Sequence, residues 1–300
     1  VPADLHFLPN FRDRVSYLYV EHAVIEREDS AIAIFDERGM VQAPTADIAL
    51  LMLGPGSKIS HAAVDVLARD SCLVAWVAEE GVRLYAFGTG GTHSSARLLR
   101  QARMVCDPRT CLQTVVRLYQ MRFDEPISPE MSIEQMRGKE GIRVRSAYER
   151  LARLHGIEWQ GRNYDRMKWV GTDPANLALS AANACLYGVC HAAILGMGFS
   201  PALGFIHTGK QLSFVYDVAD LYKLELSVPI AFEEAARGSL ELERRVRRAM
   251  RDRFRETQFL GRISQDLLAI FGPDEEDAEH YDGDPALPGP LYSSLPEEDG

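Results

Sequence analysis

The segment that most limits the possible folds is residues 174–197, PANLALSAANACLYGVCHAAILGM. Wound as a helix it is apolar on nearly every side, and such a helix lies inside a bundle or crosses a membrane. Its length alone permits a span. Asn176, Asn183, Tyr187 and His191 interrupt it, and many other positions are Ala or Gly. These features predict a buried central helix and no membrane partner. Asp173 and Pro174 supply its start, as cap and first-turn residue. His191 reads as a hydrogen-bonded core residue rather than a ligand.

Around this helix the chain divides by pattern. Residues 1–87 alternate short apolar or β-branched runs with turn signals, at 15–25, 31–35, 40–42, 48–53, 73–77 and 83–87. One helix, from Ser60 to Arg69, interrupts them. Residues 88–95, GTGGTHSS, read as a linker, because they lack the Gly-Lys-Ser/Thr ending of a phosphate loop. Helical spacing governs residues 96–272, including a long helix over 132–155 and an arginine-rich one over 240–256. Residues 273–300 are acidic and Pro-rich, a composition that predicts disorder. The expected class is α+β: a small β-sandwich-like N-terminal domain with one helix, a flexible linker, and a larger all-helical C-terminal domain.

A net charge of −10 argues against a polyanionic partner until its distribution is read. Residues 274–300 hold ten acids and no Lys or Arg, so the rest of the chain is neutral, with 33 acids against 33 bases. Arginines then cluster within 97–122, 137–153 and 244–255. Phosphate contacts need local rather than net positive charge. A solvated helix face is the alternative for the last cluster. The five cysteines are odd in number and form no CxxC pair, which points to a reducing compartment and the cytoplasm. No apolar run follows a basic segment at the start of the sequence, so no signal peptide is expected.

Candidate chemistry concentrates in residues 203–223, LGFIHTGKQLSFVYDVADLYK. His207 lies in the turn-like HTGK, and Ser213 is placed to cap a helix. Phe214, Val218 and Leu221 form one apolar stripe. Asp217 and Asp220, three residues apart, fall together on the opposite, wet side. A histidine ahead of two carboxylates suits a metal or acid–base site. A satisfied core histidine over a solvated acidic face explains the same spacing. In residues 137–145, RGKEGIRVR, Glu140 lies between Gly138 and Gly141. Helix interiors disfavour Gly by roughly 1 kcal/mol. The pair therefore fits close approach of a ligand or of another backbone, and a plain helix contact would explain it too.

RGKEGIRVR and GFIHTGKQLSFVYDVADL together resemble the CRISPR-associated spacer-acquisition integrase family, in its type I-E subtype. KISHAAVDVLARD, GVRLYAFG, ACLYGV and EWQGRNYD fit the same family, in matching order from Leu8 to Phe271. The resemblance implies that Glu140, His207 and Asp220 are catalytic and ligate one divalent ion, Mg²⁺ or Mn²⁺, with Asp217 as an auxiliary carboxylate. It implies a DNA-binding track of Arg83, Arg137, Arg143, Arg145, Arg162 and Arg247 or Arg248, with Lys210 and Lys223 near the strand end. Tyr164, Tyr187 and Tyr216 match family aromatics there, and base–aromatic stacking is worth ~1–3 kcal/mol. His22 stands where relatives carry a wedge tyrosine at the duplex fork. The implied reaction joins the 3′-OH of a prespacer strand to CRISPR repeat DNA by transesterification. The implied partners are double-stranded prespacer DNA, the repeat, a second copy of the chain, and a small ferredoxin-like "Cas two" protein. The last would complete a heterohexamer, with the C-terminal tail as docking segment. Two other readings are a stand-alone hydrolytic nuclease and a non-catalytic DNA-binding scaffold.

Overall fold

A computed structural model of the chain describes residues 17–70, 72–77, 84–88, 95–123, 125–128, 130–162 and 173–271. Arg83, Tyr164, most of the expected linker and the acidic tail lie outside the described residues.

Among the described residues, the N-terminal part holds two four-stranded sheets. One has the order β1 (Leu18–Val20), β5 (Leu50–Leu53), β7 (Leu73–Val77), β8 (Leu84–Gly88). Its first three strands run parallel, and β8 pairs antiparallel with β7. The other has the order β4 (Gly39–Pro44), β3 (Ala31–Asp36), β2 (Val24–Glu28), β6 (Lys58–Ile59). The single strand expected over 15–25 is broken at His22, whose φ of 49° is left-handed. The His22 N–H donates to the Pro55 carbonyl at 2.9 Å, and the Gly54 N–H to that of Val20 at 2.7 Å. The chain turns there over the Gly54-Pro55-Gly56 loop and passes from one sheet to the other. Gly56, at φ 72°, lies under the imidazole, which a Cβ at that position would strike.

Side-chain alternation makes the first sheet a shared wall. Leu50, Met52, Leu73, Ala75 and Val77 join the helical core. Leu51, Leu53 and Val74 face the other way, onto Ile25, Ile32, Val66 and Leu67. Helix α1 (His61–Arg69) closes that smaller core, with Ser60 capping its Ala63 N–H.

The helical part contains α2 (Ala96–Cys106), α3 (Pro108–Arg122), α4 (Ile133–His155), α5 (Pro174–Gly196), α6 (Ser213–Ala219), α7 (Ser227–Ala236), α8 (Leu242–Glu256) and α9 (Phe259–Phe271). Helix α5 is the expected central element, packed by α6, α7, α8 and α9. It is long and apolar enough to cross a membrane, yet 72% of its apolar window is buried inside the protein. Gly188 admits the sheet: a Cβ there would stand 2.9 Å from Leu50 Cδ2. His191 is buried on this helix against Phe87, and its Nε2 finds no hydrogen-bond partner among the described residues, in contrast to the bonded residue expected. Helix α4 begins in a capping box formed by Ser132 and Gln135 and ends at left-handed Gly156. Helix α6 is shorter than its apolar stripe suggests. It stops at Ala219, so Asp220 caps its C-terminus instead of lying near its middle.

Candidate metal and nucleic-acid site

The loop ahead of α6 is clamped from two sides. On α2, the buried Gln101 donates to the carbonyls of Ser200 (3.0 Å) and Leu203 (2.8 Å) and accepts from the Ser200 N–H (2.7 Å). On α6, the buried Asp217 accepts the backbone N–H groups of Phe205 (2.6 Å), Ile206 (3.1 Å) and His207 (2.9 Å). Gly204 lets the loop close, since a Cβ there would meet the backbone of His207 and Ser213. Phe205 packs edge-on against Phe214. Asp217 is therefore not on a wet face beside Asp220; the loop folds back over it and covers it. Ser213 does not cap α6 but bonds both backbone groups of Lys210, closing the HTGK turn.

Asp217 also orients His207. Its Oδ1 lies 2.7 Å from His207 Nδ1. A carboxylate accepts, so Nδ1 carries a proton, and Nε2 is the ring nitrogen turned toward the site. Nε2 faces Asp220 Oδ2 at 3.9 Å. Asp220 is flanked by Lys223 Nζ at 2.6 Å from Oδ1 and by Arg122 Nη1 at 3.5 Å from Oδ2. Burial alone would raise the Asp220 pKa, but Lys223 and then Arg122 outweigh it and hold the carboxyl below its ordinary range. Burial likewise opposes the Lys223 charge, and Asp220 beside it raises the ammonium pKa well above the usual value.

Arg122, grouped by sequence with phosphate-binding arginines, is instead internal. Its side chain is 2% exposed, its Nη2 donates to the Asp217 carbonyl at 3.0 Å, and it stacks over Tyr119. Arg122 and Gln101 were not identifiable as site residues from sequence, because nothing in an arginine- and glutamine-rich helix marks which polar side chain points inward.

Glu140 lies on α4. Arg143 donates to it through Nε (2.9 Å) and Nη2 (3.1 Å). Gly138 and Gly141, expected to admit a close neighbour, meet none: among the described residues nothing lies within 4 Å of a Cβ built at either. The donor chemistry of His207 and Asp220 fits a divalent cation. Two donor atoms 3.9 Å apart can share an ion with bonds of about 2 Å. Among the described residues, however, no group of three His, Cys, Asp or Glu is gathered to hold a metal.

The remaining candidates fall into distinct settings. Arg137, Arg145, Arg248, Lys210 and His22 are exposed. Tyr187 and Tyr216 meet edge-on at 5.1 Å, and Tyr216 lies 5.9 Å from the His207 ring. Lys223 rests over Tyr187. Arg162 donates to the Asn176 carbonyl (2.9 Å) and to Ser180 Oγ (3.1 Å), tying the segment before α5 to that helix. Arg247 is buried over the Tyr19 ring at 4.6 Å, while its carbonyl accepts from the Tyr17 hydroxyl at 2.5 Å. It joins α8 to the sheet wall.

Comparison with known proteins places these residues in context. Residues 120–244 match the family model described as "CRISPR associated protein Cas1", a span that includes Glu140, His207 and Asp220. The chain is 52% identical over 301 residues to the CRISPR-associated endonuclease Cas1 2 of Thermus thermophilus, covering 99% of this chain and 92% of that protein. It is 43% identical to the CRISPR-associated endonuclease Cas1 of Escherichia coli, covering 93% of each. The solved structure of a TtCas1–DNA complex superposes with a TM-score of 0.82 at 51% identity, covering 93% of this chain and 96% of that one.

Proposed function

We propose that this chain, which belongs to the CRISPR-associated Cas1 endonuclease/integrase family, joins the 3′-OH ends of prespacer DNA to CRISPR repeat DNA in a metal-dependent transesterification. The observation that carries the reading is the His207 ring, held by Asp217 with Nε2 facing Asp220 at 3.9 Å. His207, Asp220 and Glu140 would hold one Mg²⁺ or Mn²⁺ ion, Glu140 after leaving Arg143. When bound, the ion supplies Lewis-acid polarisation of the phosphodiester and stabilises the charge that develops on it.

The chain's own residues do the positioning. The Asp217 clamp keeps the His207 ring in one orientation. Lys210, exposed in the HTGK turn, is placed to meet a phosphate. Tyr187 and Tyr216 offer faces on which an end base can stack, and Arg137, Arg145 and Arg248 extend a basic surface for the backbone. The relative solved with DNA supports a DNA partner. The proposal extends to the type I-E subtype, a homodimer, a heterohexamer with the small "Cas two" protein reached through residues 273–300, and a cytoplasmic place of action.

The test is incubation of the full chain and its partner with labelled prespacer duplex and a supercoiled plasmid carrying a repeat array, with Mg²⁺ or Mn²⁺. Joined label is the expected product. Nicking without joining supports the hydrolytic nuclease instead, and binding without either supports a scaffold. His207→Ala and Asp220→Asn should abolish joining while the fold survives, because the His207 ring is 41% exposed and Asn keeps a polar group of the same size beside the buried Arg122.

A further inference from the structure

Glu140 and Asp220 repeat one arrangement. Each carboxylate is engaged by a cation three residues later: Arg143 at 2.9 and 3.1 Å, Lys223 at 2.6 Å. Each cation also rests on an aromatic ring, Arg143 over Phe123 at 5.8 Å and Lys223 over Tyr187 at 4.9 Å. Neither is sealed in the core, since the two side chains are 32% and 24% exposed. Long, partly wet side chains can swing their heads without unpacking a core. Arg122, bolted to the Asp217 carbonyl, has no such freedom.

We propose that Lys223 and Arg143 are built-in counter-ions that compete with a divalent cation for Asp220 and Glu140, and that the entering ion releases both heads toward phosphate oxygens. The inference rests on the reading of His207 and Asp220 as part of a metal site. Charge balance favours the exchange, because one doubly charged ion replaces two singly charged heads. In this structure each carboxylate is turned onto its own cation, the arrangement the entering ion would undo. The released heads keep an aromatic face beneath them, and a phosphate gives them a charge-assisted hydrogen bond in place of the carboxylate's.

The experiment is Mn²⁺ binding to the full chain without DNA, read from the electron paramagnetic resonance signal of free Mn²⁺. Wild type is compared with Lys223→Met, Arg143→Met and Asp220→Asn, each checked for fold by circular dichroism. Mn²⁺ affinity should rise at least tenfold in each Met variant and fall at least tenfold in Asp220→Asn. With Mn²⁺ present, each Met variant should bind a short duplex more weakly and lose about one unit of salt slope. If Asp220→Asn weakens Mn²⁺ binding but a Met variant shows no gain, that residue's counter-ion role is overturned and the metal site stands. If wild type and Asp220→Asn bind Mn²⁺ equally, the metal site falls and this inference with it. Should a Met variant fail to fold, Lys223→Gln or Arg143→Gln carries the same test.

Discussion

Asp217 and Glu140 are both helix-borne carboxylates beside the proposed chemistry, and the chain holds them in opposite ways. Asp217 is fully buried and accepts three backbone N–H groups and one ring N–H. Glu140 lies on a helix where a Cβ added at Gly138 or Gly141 would meet none of the described residues, and its ion-pair partner is an arginine on the same helix. One half of the site is therefore organised by the fold, and the other by an ion pair that another cation can replace. A preorganised half fixes direction, and a replaceable half lets the ion and its substrate enter together.

Substitution of the two acids should break this comparison most visibly. Asp217→Asn sets an amide donor against backbone donors in a buried site, where each unsatisfied group costs ~1–3 kcal/mol. A loss of about 3 kcal/mol or more is expected in chemical denaturation. Glu140→Gln keeps the side-chain volume and leaves Arg143 able to turn to water, so it should cost about 1 kcal/mol, well below the Asp217 loss. Joining should fall in both, so stability separates them. Equal stability losses would erase the distinction.

The next effect is a pH dependence behind the organised half. His191 lies on α5, which packs against α6. Burial without a compensating partner lowers its pKa to about 4. The unfolded chain takes up this proton near pH 6.5, whereas the folded chain does so only near pH 4. Stability is thus fully present above the unfolded value, is lost as pH falls through this window, and levels off below it. The full loss is about 3 kcal/mol. Melting of His191→Leu across the same range should show a flatter curve than wild type.

Glycine substitutions sharpen the contrast at the smallest scale. Gly204→Ala forces backbone apart in the clamped loop and should destabilise by about 1–3 kcal/mol. Gly138→Ala and Gly141→Ala, on a helix where the added Cβ meets none of the described residues, should each stabilise by ~0.5–1 kcal/mol. Differential scanning calorimetry of the three variants gives the signs directly.

Much of the fold was legible because it depends on local patterns. The all-round apolar run of α5 and the Asp173-Pro174 start each state their role within a few residues, whereas Ser213, expected to cap α6, closes the HTGK turn on Lys210 instead. The division into a β-rich N-terminal part and a helical C-terminal part followed from the same periodicities. What was not legible depends on distant contacts. The break at His22 needs the Gly54-Pro55-Gly56 loop beneath it. The burial of Asp217 needs residues 203–207 folded back over it, which i,i+3 spacing cannot reveal. Arg122 and Arg247 look like surface arginines until Asp220 and Tyr19 are placed beside them. His207 and Asp220 came from family motifs, while the ring orientation that directs them comes from the Asp217 geometry.

The most direct measurement is an anomalous difference map at the manganese edge, from crystals of the full chain grown with Mn²⁺. A peak is expected about 2.0–2.3 Å from His207 Nε2 and an Asp220 oxygen, with Glu140 turned off Arg143 toward it. A peak elsewhere, with His207 and Asp220 unliganded and Glu140 still on Arg143, would contradict the metal site and the division of labour built on it.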